Sequence, residues 1–299
     1  MDQAEALMHE VESMRVRGAS AIARVVAEVF VRQIEESGNL ATEDLAVKLQ
    51  ETCDWALRTK PSMSPVVRVV FLVQRALEGG SPNHDFAVAL RRTLEDFIRR
   101  SERSVEDIGQ RASLISQDRS VVVVHSFSGA LVSALKGLAA QSPGLVMRFT
   151  ESRPLRESRF FLQELAGIPL RKELYTDASM DVALEGADLV LLGADAIYAD
   201  GRFCNKVGSK LMALAAFHRH VPVYVISESL KVIPDELAGL VSMEMRPASE
   251  VLEDWQGVDT TGVDVVNQFF EVTPREFVTG YLTEDGLFSP EEVSRYAQV

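Results

Sequence analysis

The strongest constraint on the fold is a change of texture at residue 120. From there, short runs of apolar, largely β-branched residues recur at Val121–Val124, Leu145–Phe149, Leu189–Leu192, Val223–Ile226 and Val241–Met245. Between some of them lie stretches with helical character, Ala130–Ala140 and Lys206–His218 among them. A strand apolar at every position is buried on both faces, and strands alternating with helices are joined by right-handed crossovers. The expectation is an α/β unit with a Rossmann-like, doubly wound parallel sheet over 116–299. The tail, with Ser289-Pro290-Glu291-Glu292 as a helix start, should end on a short helix.

The first 115 residues read differently. Apolar residues recur at helical spacing, as at Met8 and Val11, then Ile22, Val25 and Val29, then Leu45, Leu49, Cys53 and Ala56. Thr59-Lys60-Pro61 ends one helix, because proline pushes its predecessor out of the α region. Gly79-Gly80-Ser81-Pro82-Asn83 reads as a loop, and Phe86–Leu114 as a long helix. A helical N-terminal domain over 1–115 is therefore expected ahead of the α/β domain.

A net charge of -13 opposes attachment to nucleic acid or anionic lipid. The acidic, amphipathic start is unlike a signal peptide, and no apolar run is long enough to span a bilayer, so a cytoplasmic protein without membrane contact is expected. The two cysteines, Cys53 and Cys204, have no metal-ligand spacing. Nothing in the sequence calls for a metal or a cofactor.

In an open parallel sheet the ligand lies beyond the carboxyl ends of the strands, and four loops there carry polar residues. His125-Ser126-Phe127-Ser128-Gly129 opens a helix, where free amides suit a phosphate, although an ordinary cap by Ser126 or Ser128 fits equally. Thr150-Glu151-Ser152-Arg153-Pro154 offers Arg153, whose guanidinium can fork onto phosphate or simply be solvated. Gly193-Ala194-Asp195 places a carboxylate directly after a buried strand, and Asn205-Lys206 follows with an amide and a cation. A general acid/base or hydroxyl-binding group belongs at such a place. Ser227-Glu228-Ser229-Leu230-Lys231 adds Lys231, which could equally face solvent. In the helical half, Arg15-Val16-Arg17-Gly18-Ala19-Ser20 breaks a helical pattern at a glycine, where amides become free for an anion or the helix merely kinks.

Taken in order, Arg17-Gly18-Ala19, Thr59-Lys60-Pro61, His125-Ser126-Phe127-Ser128, Thr150-Glu151-Ser152-Arg153-Pro154, Gly193-Ala194-Asp195, Gly201, Asn205-Lys206-Val207-Gly208 and Glu228-Ser229-Leu230-Lys231 resemble one superfamily over nearly the whole chain. It unites the alpha, beta and delta subunits of translation initiation factor 2B with ribose-1,5-bisphosphate and methylthioribose-1-phosphate isomerases. The resemblance implies that Arg17, Gly18, Ala19 and Ser20 grip a phosphate. It also implies that Asp195 works in acid/base chemistry and that Asn205, Lys206 and Lys231 help hold the substrate; Lys60, Ser128 and Arg153 are further candidates for binding it.

Two positions depart from the isomerases. The family cysteine is here Ser126, whose hydroxyl is far harder to ionise than a thiol of pKa near ~8.5. Lys60 stands where an arginine is usual, and lysine cannot fork onto phosphate. His125-Ser126-Phe127-Ser128 is more similar to the initiation factor alpha subunit, a non-catalytic member that binds sugar phosphates or nucleotides. The leading expectation is a regulatory protein that binds a phosphorylated sugar or nucleotide monophosphate. It would form a homodimer or larger symmetric assembly, with a translation factor as partner. The rival is an aldose–ketose isomerase acting on ribose 1,5-bisphosphate or a related aldose 1-phosphate, and a subunit with a vestigial pocket is the third reading.

Overall fold

The computed structural model describes residues 3–38, 43–79, 84–115, 121–142 and 144–297. Five helices come first: α1 (Gln3–Glu12), α2 (Ala19–Glu36), α3 (Glu43–Thr59), α4 (Ser64–Glu78) and α5 (His84–Arg111). α2 lies at the centre of this half and buries Ile22, Val26, Val29 and Phe30, an apolar stripe of helical period. α3 stops ahead of Lys60-Pro61, and α4 restarts with Pro65 in its first turn, where the missing amide costs nothing. Beyond Gly79, the loop expected at 79–83 lies outside the described residues, as do 116–120 at the expected domain boundary.

The second half is a mixed α/β unit. Its main sheet has seven strands: β1 (Val121–His125), β2 (Val146–Thr150), β3 (Arg171–Tyr175), β4 (Leu189–Leu192), β7 (Val223–Ile226), β10 (Gly280–Thr283) and β11 (Gly286–Phe288). They lie in the order β3-β2-β1-β4-β7-β10-β11, all parallel except the pairing of β10 with β11. α6 (Gly129–Gln141) and α7 (Ser158–Glu164) follow β1 and β2; α8 (Met180–Ala183) precedes β4, and α9 (Ser209–His218) precedes β7.

The apolar runs are explained by which way each residue points. Val122, Val124, Leu189 and Leu191 join one buried cluster with α6 and Phe161 of α7, while Val123, Val190 and Leu192 join another with α8 and α9. Successive strand side chains face opposite sides, so both faces are covered and every position is apolar.

A second, smaller sheet binds the two halves together. Its strands are β5 (Ala196–Tyr198), β6 (Phe203–Lys206), β8 (Val232–Ile233) and β9 (Phe270–Thr273), in the order β8-β5-β6-β9. Ala196, Tyr198 and Cys204 pack into the helical core, while the alternating Ile197 and Phe203 pack into the main-sheet core.

Several expected elements differ. Val241–Met245 is not a strand: Met245 makes an isolated bridge to Gln268, and Gly280–Thr283 takes the place beside β7. The helix expected from Lys206 begins at Ser209, because Phe203–Lys206 is strand. β3 was not anticipated, since an edge strand reading Arg-Lys-Glu-Leu-Tyr has no apolar run. The chain's end is a short 3-10 turn, Glu292–Tyr296.

Candidate functional site

Asp195 follows β4 and enters β5, at the seam between the two sheets and the helical half. It lines two adjoining cavities, one of about 340 Å³ and one of about 60 Å³. Arg17, Gly18 and Phe127 line both as well. Enclosure by protein pushes the Asp195 carboxyl up to about 6, against the pull of Lys231 and Lys206. A carboxyl held there is a proton donor or acceptor near neutral pH.

The small cavity is built from two helix starts. The N-termini of α2 at Gly18-Ala19-Ser20 and of α6 at Ser128-Gly129-Ala130 both line it, and a Cβ on Gly18 would lie 3.9 Å from the Gly129 nitrogen. Neither helix has a side-chain cap, so first-turn amides have no partner within the helix. Gly18 sits at φ 82°, a conformation that glycine adopts without strain. Lys231 completes the cavity, its Nζ donating to the Ala194 carbonyl at 2.7 Å. Gly193 makes the close approach possible, because a Cβ there would meet the Ser128 Cβ at 2.8 Å. Cationic side chains and two converging helix dipoles make this end fit for an anion.

Asn205 and Lys206 are neighbours on β6 and diverge accordingly. Asn205 lines the small cavity and donates to Ser209 Oγ at 2.8 Å; Lys206 lines the large one. Lys206 Nζ lies 2.7 Å from Glu157 Oε1 and 3.0 Å from the centre of the Phe269 ring. Burial lowers the ammonium's pKa, and Glu157 opposes that. For Glu157 burial works upward, but the Lys206 charge and hydrogen bonds from Lys206, Ser126 and the Phe127 amide together leave it below its ordinary value.

Ser126 terminates β1 at φ 65°. Its amide donates to Ser152 Oγ at 2.8 Å and its hydroxyl to Glu157 Oε2 at 2.7 Å. A non-glycine residue in this region is uncommon and is held by its surroundings, often at functional sites. His125 beside it is buried, bonded to Thr150 Oγ1 (2.6 Å) and the Val207 carbonyl (2.9 Å), and burial lowers its pKa. Both ring nitrogens are thus engaged within the protein, and His125 lines neither cavity.

Of the residues singled out in the sequence, Arg17, Gly18, Ala19, Ser20, Ser126, Ser128, Asp195, Asn205, Lys206 and Lys231 line the two cavities. Lys60 and Arg153 do not. Lys60 is buried behind the wall, its Nζ 3.0 Å from Met14 Sδ. Arg153 faces outward, donating to the Val251 carbonyl at 3.0 Å and pairing with Asp254 at 3.4 Å. Neither cysteine lines either cavity: both are buried in the helical core, with Cys53 pushed up to about 12. The sequence reading missed Glu157, Phe160, Phe269 and Arg246 in the large cavity and Glu228 in the small one. Glu157 had one legible signal, a carboxylate in the loop that follows β2, and Glu228 lay in the strand-end loop noted for Lys231; Phe160, Phe269 and Arg246 lie in segments with no motif.

The sequence pattern of the initiation factor 2 subunit family matches residues 15–290. The chain belongs to that family. As a member, it is 30% identical over 295 residues to the ribose 1,5-bisphosphate isomerase of Pyrococcus furiosus, covering 95% of this chain and 90% of that protein. It is 27% identical to a putative translation initiation factor eIF-2B subunit 2-like protein of the same organism, covering 95% of each. The crystal structure of the Pyrococcus horikoshii OT3 translation initiation factor eIF-2B superposes with a TM-score of 0.81 at 26% identity, covering 98% of each chain. Family members therefore carry isomerase names and translation-factor names on one fold. Among the described residues no cluster of His, Cys, Asp and Glu is arranged to hold a metal ion, and no helix is long and apolar enough to cross a membrane.

Proposed function

We propose that this protein binds a phosphorylated sugar as a regulatory ligand, as initiation factor 2B alpha subunits do, without converting it. The observation that carries this reading is the Ser126 hydroxyl: it donates to Glu157, which is itself paired with Lys206, and no thiol lines either cavity. The ligand's phosphate occupies the small cavity between the starts of α2 and α6, near Lys231. Its sugar ring lies against Asp195, Asn205 and Ser126. The large cavity receives the remainder of the molecule, against Phe160, Phe269 and Lys206.

A second reading, aldose–ketose isomerisation, is favoured by the relatives named for it and by Asp195 held near 6. One experiment separates the two. The purified chain is incubated with ribose 1,5-bisphosphate, other aldose 1-phosphates and nucleoside monophosphates, while melting temperature and ketose formation are both followed. Stabilisation without ketose is expected; steady ketose formation would overturn the regulatory reading. Ser126→Cys serves as the companion variant, because a thiol can carry the proton that a serine hydroxyl cannot.

The same reading makes the chain a two-part molecule divided near residue 115, with a Rossmann-like second half supported by the strand order around β1. It works in the cytoplasm as a homodimer or larger symmetric assembly, with a translation factor as partner.

A further inference from the structure

In the small cavity two buried polar atoms have no partner, Ser128 Oγ and Glu228 Oε1. Both residues line it, with exposures of 7% and 1%. An unpaired polar atom inside a protein is costly, and nearly all such atoms find partners. Their coincidence in one cavity points to a ligand that supplies the missing bonds. One water needs roughly 10–15 Å³ of such space, so about 60 Å³ accommodates a group of a phosphate's size.

The two atoms ask for different things. A serine hydroxyl can donate or accept, whereas a carboxylate only accepts. The Glu228 carboxylate is fixed from its other end, where Ser101 Oγ donates to Oε2 at 2.7 Å and Arg24 in turn donates to Ser101 at 2.9 Å. Oε1 is left without a partner, and Glu228 lines the same cavity as Lys231, Arg17 and the starts of α2 and α6. An anion whose oxygens all lack protons would meet Glu228 as like against like. An anion that keeps one O–H satisfies Glu228 and still accepts from Lys231 and the helix amides.

We propose that Glu228 is a specificity-determining residue that accepts a hydrogen bond from a protonated oxygen of the bound phosphate, so that the small cavity selects hydrogen phosphate and rejects sulfate. The inference rests on the phosphate placement proposed above and adds a selection rule to it. Inorganic phosphate keeps a proton at neutral pH and sulfate does not, although the two ions have the same tetrahedral shape; a sugar monophosphate, with a second pKa of ~6, offers that proton only as its monoanion, the form the cavity would select.

The test is titration of the full chain with inorganic phosphate and with sodium sulfate at one ionic strength, read by calorimetry and by melting temperature. A hydrogen bond to a charged group lost into an unpaired buried oxygen corresponds to roughly tenfold or more in affinity, so phosphate is expected to bind at least about tenfold tighter than sulfate. Glu228→Gln, which can donate to either ion, is expected to bring the two to within about threefold. Circular dichroism and melting temperature establish whether the Gln variant folds, and the comparison of the two ions on the parent protein decides the inference even if it does not. Equal binding of both ions by the parent protein, or an unchanged preference in a folded Glu228→Gln variant, overturns the inference and leaves the phosphate site standing. Failure of the parent to bind either ion or any sugar monophosphate instead removes the phosphate placement itself.

Discussion

Replacing Glu157 by glutamine tests the arrangement at the centre of the large cavity. The variant keeps the shape of the side chain but strips Lys206 of its counter-charge; its one amide oxygen faces Lys206, and its NH2 then donates to the Ser126 oxygen in place of the lost acceptor. Lys206 is only 2% exposed at its side chain and Glu157 14%, with 2.7 Å between Nζ and Oε1. At an effective dielectric near 20, unit charges that close attract by ~6 kcal/mol. The amide oxygen of glutamine recovers ~1.5–3 kcal/mol as a hydrogen bond to the ammonium. The remaining loss, ~3–4.5 kcal/mol, agrees with the range seen when one partner of a buried pair is removed. For a chain of this size that is a fall of roughly 6–15 °C in melting temperature, measurable by calorimetry or circular dichroism at pH 7. The decisive control is Lys206→Met with Glu157→Gln. If the loss comes from an abandoned charge, the double variant recovers most of the stability. A single variant melting within about 2 °C of the parent, or a double variant falling by the sum of both singles, would refute the reasoning.

Two further outcomes follow from the same geometry. Asp195 is raised to about 6 from an ordinary 3.8, so the folded state is favoured below the lower value and loses that advantage as pH rises through the upper one; Asp195→Asn should therefore stabilise the chain by roughly 3 kcal/mol at pH 8 and by nothing below pH 4, and a melting difference independent of pH would contradict this. Gly193→Ala pushes a methyl group against Ser128 at the floor of the small cavity, so a loss of ~1–3 kcal/mol from overpacking is expected, together with weaker phosphate binding in titrations; unchanged affinity would mean that the start of α6 does not hold the phosphate.

What the sequence disclosed and what it hid have physical causes. The central strands were legible because burial on both faces leaves only apolar residues in β1 and β4. β3 was illegible because an edge strand can carry charge, and β5 and β6 because four strands of two to four residues each are too short to show a period. Loops at strand ends pointed to Asp195 and Ser128, and both line the cavities. Lys60 and Arg153 misled for the opposite reason: a cation beside a turn suits phosphate, but nothing local says which way its side chain points. Glu157 was missed because its role depends on Lys206, nearly fifty residues away, and only the packing of β6 against the start of α7 brings the two together.

That pair also decides what Ser126 can do. Its hydroxyl proton is committed to Glu157, and Glu157 is held ionised by Lys206. The serine oxygen therefore turns its lone pairs to the cavity and can accept a hydrogen bond from a ligand hydroxyl. It has no proton to lend and no base strong enough to take one, because a carboxylate below its ordinary pKa cannot ionise an alcohol. Converting an aldose 1-phosphate requires a group to protonate the ring oxygen as the ring opens and a group to carry hydrogen between adjacent carbons. Asp195 has a pKa fit for either task, and the two tasks fall in successive steps. On the binding reading proposed above, the accepting serine is matched to a hydroxyl of the held sugar; on the isomerase reading, Asp195 alone has to move the protons, which is what the Ser126→Cys variant tests.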